Sequence, residues 1–194
     1  HGTEKNRGKD TGDTVMRNPL SKKVVEIEPS GIRKFFDVVN EMEDAISLGV
    51  GEPDFDTPQY IKEAAKAAID RGCTKYTPVP GIMELRQAIS DRYKEVYGLD
   101  YGATGVVVSN GAKQSLYNTF QAILDPGDEV IVFSPYFAVY RSQIELAGGV
   151  CVDVPTYAEE NYAIDEARLR AAITPRTKAI IFNNPTNPTG MSYD

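Results

Sequence analysis

Apolar residues along the chain follow two patterns, and their alternation predicts the fold. The first pattern repeats at three- and four-residue steps, as one face of a helix does. Ile32, Phe35, Phe36 and Val39 repeat this way between Ser30 and Asp44. Ile61, Ala65, Ala68 and Ile69 line one face of "DTPQYIKEAAKAAIDRG", where Thr57 can cap, Pro58 suits the first helical position and Gly72 suits the end. Leu85, Ile89, Tyr93 and Val96 form the inner stripe of "GIMELRQAISDRYKEVYG", with Gly98 as its stop. The second pattern is the short apolar run. "AISLGVG" predicts a brief strand entering a turn. From Gly105 onward the two patterns alternate: strand "GVVVSN", helix "AKQSLYNTFQAIL", turn "DPGD", strand "EVIVFS", helix "FAVYRSQIELAG", strand "GVCVDVP", helix "IDEARLRAAI" and strand "KAIIFN".

β-branched runs separated by helices predict parallel strands buried on both faces, hence an α/β fold with right-handed crossovers. Ligands of such sheets bind beyond the carboxyl ends of the strands. Three polar clusters stand there: Ser109 to Lys113, Ser134 to Phe137, and "NNPTNPTG" from Asn183 to Gly190. They are expected to share one rim. The first 15 residues, polar and without periodicity, read as a disordered leader or a tag, with Met16 as a natural start.

Composition narrows the function. The formal charge of −7 argues against nucleic-acid binding, which needs a basic face. No apolar run is long enough to span a bilayer and no signal peptide is visible, so a cytoplasmic protein is expected. Cys73 and Cys151 form no metal spacing and read as buried thiols in a reducing compartment. The only histidine is His1, which leaves triad and zinc chemistry without their usual residue.

Each polar cluster has both a functional reading and a plain structural one. "SNGAKQ" joins a strand to a helix, and Gly111 lets backbone N–H groups approach a phosphate; the alternative is a helix cap by Ser109 or Asn110. "GVGEPD" lacks the third glycine of a dinucleotide fingerprint; Gly51 could present its N–H to a carboxylate or simply make a turn. Tyr76 in "KYTPVPG" could reach a phosphate or pack on a surface loop. Phe137 could stack on a planar ring or belong to the core. Asn187 could donate its amide to a ring oxygen or merely build a turn.

Order and spacing add what single motifs lack. "GEPDFDTP", "KYTPVPG", "SNGAKQSL", "DPGDEVIVFSPYF" and "NNPTNPTG" together resemble the class I, fold-type I pyridoxal-phosphate-dependent aminotransferases, in particular the branch near bacterial aspartate aminotransferases, from about Met16 to Gly190. The resemblance implies a three-layer α/β/α domain with a mostly parallel sheet. It implies an arm and small-domain segment at 16–49 and a partial large cofactor-binding domain at 50–194. The cofactor is pyridoxal 5'-phosphate. Gly111, Ala112 and Lys113 match its phosphate cradle, Phe137 the ring stack where tryptophan is common, and Asn187 the donor to the phenolic oxygen. Gly51 matches the contact to the substrate carboxylate. Tyr76 matches a tyrosine reaching the neighbouring subunit's phosphate, which implies a homodimer with shared sites.

The same resemblance implies amino-acid and 2-oxo-acid substrates of the aspartate/glutamate class. It places the Schiff-base lysine, the acidic partner of the pyridine nitrogen and the carboxylate-binding arginine downstream of "NNPTNPTG". Lys113 matches a different motif from that lysine. No catalytic residue is therefore expected within these 194 residues, and the chain is expected to be the N-terminal part of an aminotransferase, with apolar helix faces and a sheet edge exposed. The alternatives are a non-catalytic phosphate-binding or dimerisation fragment, a parent carbon–sulfur lyase using the same cofactor and, on "GVGEPD" alone, a nicotinamide dehydrogenase.

Overall fold

The computed structural model of the chain describes residues 18–27, 51 and 53–193. The expected leader, the helix at 30–44 and the strand at 45–51, apart from Gly51, lie outside those residues. The described helices are α1 (Lys22–Glu26), α2 (Gln59–Asp70), α3 (Met83–Tyr97), α4 (Gly111–Ile123), α5 (Val139–Leu146) and α6 (Glu166–Ala172). The strands are β1 (Glu129–Ser134), β2 (Val150–Pro155) and β3 (Thr177–Ile181). They form one parallel sheet in the order β2-β1-β3.

β1 takes the centre because its interior is continuously apolar: Val130, Ile131 and Val132 are each 0% exposed. Val130 and Val132 point to one face, where Phe120 and Leu124, at the end of α4, and Tyr140 and Ile144 of α5 close over them. Fully burying one such aliphatic side chain stabilises the fold by about 1.5–3 kcal/mol relative to exposure. On that face Arg141 of α5 pairs with Asp153 of β2. Val154, buried and next along the strand, points the other way, toward the layer of α6. Asp165 caps α6 by accepting the Arg168 N–H at 2.8 Å, and Arg168 reaches back to the Pro155 carbonyl at 3.1 Å. The layering expected for an α/β/α fold is present.

The connections follow the expected chemistry in most places. Gly127, at φ +92°, turns the chain into β1, with the Asp128 N–H donating to the Asp125 carbonyl at 3.1 Å. Glu129, at the start of β1, is buried and accepts from Thr174 Oγ1 at 2.6 Å and Arg176 Nε at 2.9 Å. The Thr174 hydrogen bond first, then the Arg176 guanidinium, holds its carboxyl below the usual glutamate range. These bonds pin the segment before β3 to β1.

Several expectations are corrected. "GVVVSN" is extended at Val106 but belongs to no sheet. The Val106 carbonyl accepts from Arg86 Nε at 2.8 Å and the Val108 N–H donates to the Pro80 carbonyl at 2.9 Å, so helix and loop take the bonds a neighbouring strand would take. Only β1 is buried on both faces among the described strands; β3 alternates between half-buried and exposed, and β2 is mixed, with Val154 its one buried residue. Pro58, not Thr57, is the N-cap of α2, and it makes no side-chain bond. The apolar stripes of α2 and α3 are largely uncovered: Ile61, Ile69, Leu85, Tyr93 and Val96 are exposed, while α3 buries Arg86 and Ser90 against the loop leading to Val106. That agrees with the expectation of exposed apolar helix faces. Cys73 is exposed rather than buried, because it follows the Gly72 stop of a helix with no buried residue. Cys151 is half-buried, and burial pushes its thiol up.

Candidate functional site

The carboxyl end of β1 and the loop after β3 lie side by side, and the start of α4 joins them. The Gly111 N–H turns back to the Ser109 carbonyl at 2.9 Å; the next N–H groups, from Ala112 and Lys113, have no acceptor one turn back, so the N-terminus still presents unpaired donors and the positive end of the helix dipole. The alternative reading, a helix cap by Ser109 or Asn110, does not form; instead the Asn110 N–H donates to Gln114 Oε1 at 2.6 Å. The first turn holds no acidic residue. Gly111 has φ +76°, a conformation that favours glycine, and a Cβ there would meet nothing within 4 Å. An anion can approach this turn from open solvent. Lys113 is exposed beside it, with Nζ 5.6 Å from the centre of the Phe137 ring.

Phe137 follows β1 and is half-buried, its ring meeting Tyr140 edge-on at 5.8 Å. The buried Tyr140 also stacks on Tyr136 at 6.1 Å. Burial pushes the Tyr136 hydroxyl far above the ordinary tyrosine value, with Asp153 adding to the shift. Burial likewise raises Tyr140, whose hydroxyl donates to Asn183 Oδ1 at 3.4 Å. The same Asn183 oxygen accepts the Asn187 N–H at 3.1 Å. Thr186 Oγ1 donates to the Asn183 carbonyl at 2.9 Å, and the Gly190 N–H donates to the Thr186 carbonyl at 2.8 Å. "NNPTNPTG" is thus a self-bonded turn, and the Asn187 side chain takes no hydrogen bond among the described residues. A cavity of ≈ 20 Å³, room for about one water, lies beneath, between Tyr136, Tyr140, Asn183 and Asn187.

A continuous path therefore runs from Lys113 through Phe137, Tyr140 and Asn183 to Asn187. The three clusters share one rim, as expected, and Gly111, Ala112, Lys113, Phe137 and Asn187 come with them. Gly51 and Tyr76 are not brought to it by any described contact: Gly51 is exposed and a Cβ there would meet nothing within 4 Å, and Tyr76 is fully exposed. Two contributors, Tyr140 and Gln143, were not among the expected residues, and Asn183, at the start of an expected cluster, has a linking role that was not expected. Tyr140 and Asn183 bridge the clusters, and Gln143, nearly buried on α5, donates through Nε2 to the Lys113 carbonyl at 2.8 Å. No motif marks Tyr140, whose N–H donates to the Phe137 carbonyl at 3.0 Å in the turn that leads into α5.

Among the described residues no His/Cys/Asp/Glu group could hold a metal ion, and no helix is long and apolar enough to cross a membrane. The rim combines a helix start open to an anion, a half-buried aromatic and an amide side chain with no hydrogen bond among the described residues. The donor set and the open approach at Gly111 fit pyridoxal 5'-phosphate.

Comparison with known proteins agrees. The sequence profile of the family described as "Aminotransferase class I and II" matches residues 43–194. The aspartate/prephenate aminotransferase of Thermus thermophilus is 47% identical over 178 residues, 90% of this chain and 46% of that protein. That of Cereibacter sphaeroides is 53% identical over 150 residues, 77% of this chain and 38% of the relative. The structure of the Thermus thermophilus aspartate aminotransferase with maleate matches at TM-score 0.87 and 47% identity, covering 92% of this chain and 48% of that one. The chain spans about half the length of the curated relatives it matches.

Proposed function

The chain belongs to the class I and II aminotransferases, a pyridoxal-phosphate-dependent family, and from that premise we propose that the protein moves an amino group between an amino acid of the aspartate/glutamate class and a 2-oxo acid. The observation that carries this is the rim itself: an anion-accepting helix start, a half-buried aromatic and an amide donor joined in one path. When bound, the cofactor supplies the electron sink.

This chain's residues hold and orient it. The backbone at Gly111, Ala112 and Lys113 holds the phosphate, with the Lys113 ammonium adding charge. Phe137 covers one ring face, and its phenyl lacks the N–H that a tryptophan would offer. Asn187 donates to the phenolic oxygen. Gly51 meets the substrate carboxylate, and Tyr76, whose ring stands free in solvent, reaches the phosphate of a second copy in a homodimer. Residues 1–15 are a leader, 16–49 an arm and small-domain segment, and 50–194 part of the large domain. The protein works in the cytoplasm.

The test is amino transfer by the purified full-length enzyme, followed with aspartate or glutamate against 2-oxo acids. Release of pyruvate from cystathionine with no amino transfer to any oxo acid would refute the proposal and favour the lyase. Reduction of the cofactor-loaded enzyme with borohydride should label a lysine other than Lys113; a label on Lys113 would overturn its placement in the phosphate cradle.

A further inference from the structure

We infer that Tyr140 is a positioning residue that sets the aim of Asn187 against the cofactor ring, acting through Asn183. The inference rests on the proposed place of Asn187. Tyr140 touches both walls of the site: its ring edge supports Phe137 at 5.8 Å, and its hydroxyl donates to Asn183 Oδ1 at 3.4 Å. That oxygen also accepts the Asn187 N–H at 3.1 Å, so a single acceptor ties Tyr140, which supports the residue proposed to stack, to the residue proposed to donate. Tyr140 is buried at 8% exposure, and its ring is held on a second side by Tyr136 at 6.1 Å. A side chain so fixed gives the Asn183 carboxamide one orientation. Without the hydroxyl, Asn183 is free to turn toward the small cavity it shares with Tyr193, and the Asn187 backbone loses a fixed acceptor. The titratable groups around Tyr140 are Tyr136, Tyr193 across the cavity and Lys113 beyond Phe137. The hydroxyl stays protonated over the working range because burial raises it, so it remains a donor.

The readout is the cofactor's own absorbance. An amide donating to the ionised ring oxygen favours the ionised form; a poorly aimed amide lets that oxygen keep its proton to higher pH. In the cofactor-loaded enzyme, absorbance is titrated with pH for the wild type, Tyr140→Phe, Asn183→Ala, Asn187→Ala and, as a packing control, Ile144→Val. Tyr140→Phe is expected to raise the midpoint by about half a pH unit, about threefold in proton affinity, since a 3.4 Å O–H···O bond is long and weak. Asn183→Ala should shift it at least as far, the two together no further than Asn183→Ala alone, and Ile144→Val not at all. Asn187→Ala should give the largest shift. If Asn187→Ala shifts the midpoint and neither Tyr140→Phe nor Asn183→Ala does, the inference is overturned while the proposed role of Asn187 stands. A flat Asn187→Ala removes that role and the inference with it. Should Tyr140→Phe fail to fold, Asn183→Ala decides alone.

Discussion

Gly81→Ala is the substitution whose cost can be worked most fully from the structure. Gly81 closes the loop "KYTPVPG", with its N–H donating to the Pro78 carbonyl at 2.9 Å. Its φ is +102°, a region that costs an alanine about 1–2 kcal/mol. A Cβ there would also stand 2.8 Å from Val108 Cγ2 and 2.9 Å from Val108 Cβ. Turning the valine cannot relieve the second contact, because Cβ is fixed to the backbone and a β-branched side chain is stiff at χ1. The extended segment must move, at about 1–3 kcal/mol for overpacking. Alanine lowers the entropy of the unfolded chain, which offsets about 0.4–1 kcal/mol. The net loss is about 1–4.5 kcal/mol, read from equilibrium unfolding of the full-length protein. Val108→Ala removes Cγ2 but not Cβ, so the double variant should be less destabilised than the sum of the singles by about 1 kcal/mol.

The displaced segment leads directly into Ser109 and Gly111. Gly81→Ala should therefore weaken affinity for pyridoxal 5'-phosphate more than for pyridoxal, which lacks the phosphate. A loss under about 0.5 kcal/mol, or strict additivity with Val108→Ala, would refute the close-approach argument. Equal weakening for both ligands would refute the link to the phosphate turn.

Ile144→Ala removes three carbons from a side chain that is 0% exposed; at about 0.8 kcal/mol per methylene plus the cavity left behind, unfolding should become easier by about 3–4 kcal/mol, checked by denaturant midpoint. Glu129 has a depressed folded pKa, so its contribution is present above the ordinary glutamate value and lost as pH falls through the folded one; Glu129→Gln should lower stability near neutrality and make the acid decline of the denaturation midpoint shallower. Lys113→Met removes the ammonium near Phe137 and the start of α4; affinity for pyridoxal 5'-phosphate should fall about three- to tenfold at low salt and less at high salt, measured by equilibrium dialysis.

The parallel sheet was legible because each of its strands carries its own apolar run and its own crossover helix. The order β2-β1-β3 was not read from the sequence: "VIVF" stands in the middle, but "AIIF" is an equally long run and its strand lies at one edge. The failures share a cause. "VVV" at Val106 looks like a strand, and α2 and α3 look like core helices, because local pattern reports what a segment can bury and not what stands beside it. Val107, at 65% exposed, and Ile69, at 64%, have no described surface to cover them. Arg86, buried and bonded to the Val106 carbonyl, could not be foreseen, since a lone arginine on a helix usually reads as solvated.

The site divides along the same line. Residues that follow a strand are carried to the rim by topology, because parallel strands all end on one side. Phe137 and Asn187 follow β1 and β3 and needed only that rule; Gly111 to Lys113 follow an extended segment outside the sheet, and it is Lys113 over the Phe137 ring, at 5.6 Å, that joins them to the rim. Gly51 and Tyr76 lie before the sheet begins, on segments whose place depends on surfaces outside it, and no described contact brings them in. What motif spacing could not supply was the link between clusters. Phe137 and Asn187 are fifty residues apart in sequence, and only Tyr140, three residues beyond the first and in hydrogen-bond reach of Asn183, four residues before the second, makes them one unit. Such a bridge has no signature of its own: a tyrosine at that position satisfies the core pattern equally well, and its hydroxyl acquires meaning only once β1 and β3 lie side by side.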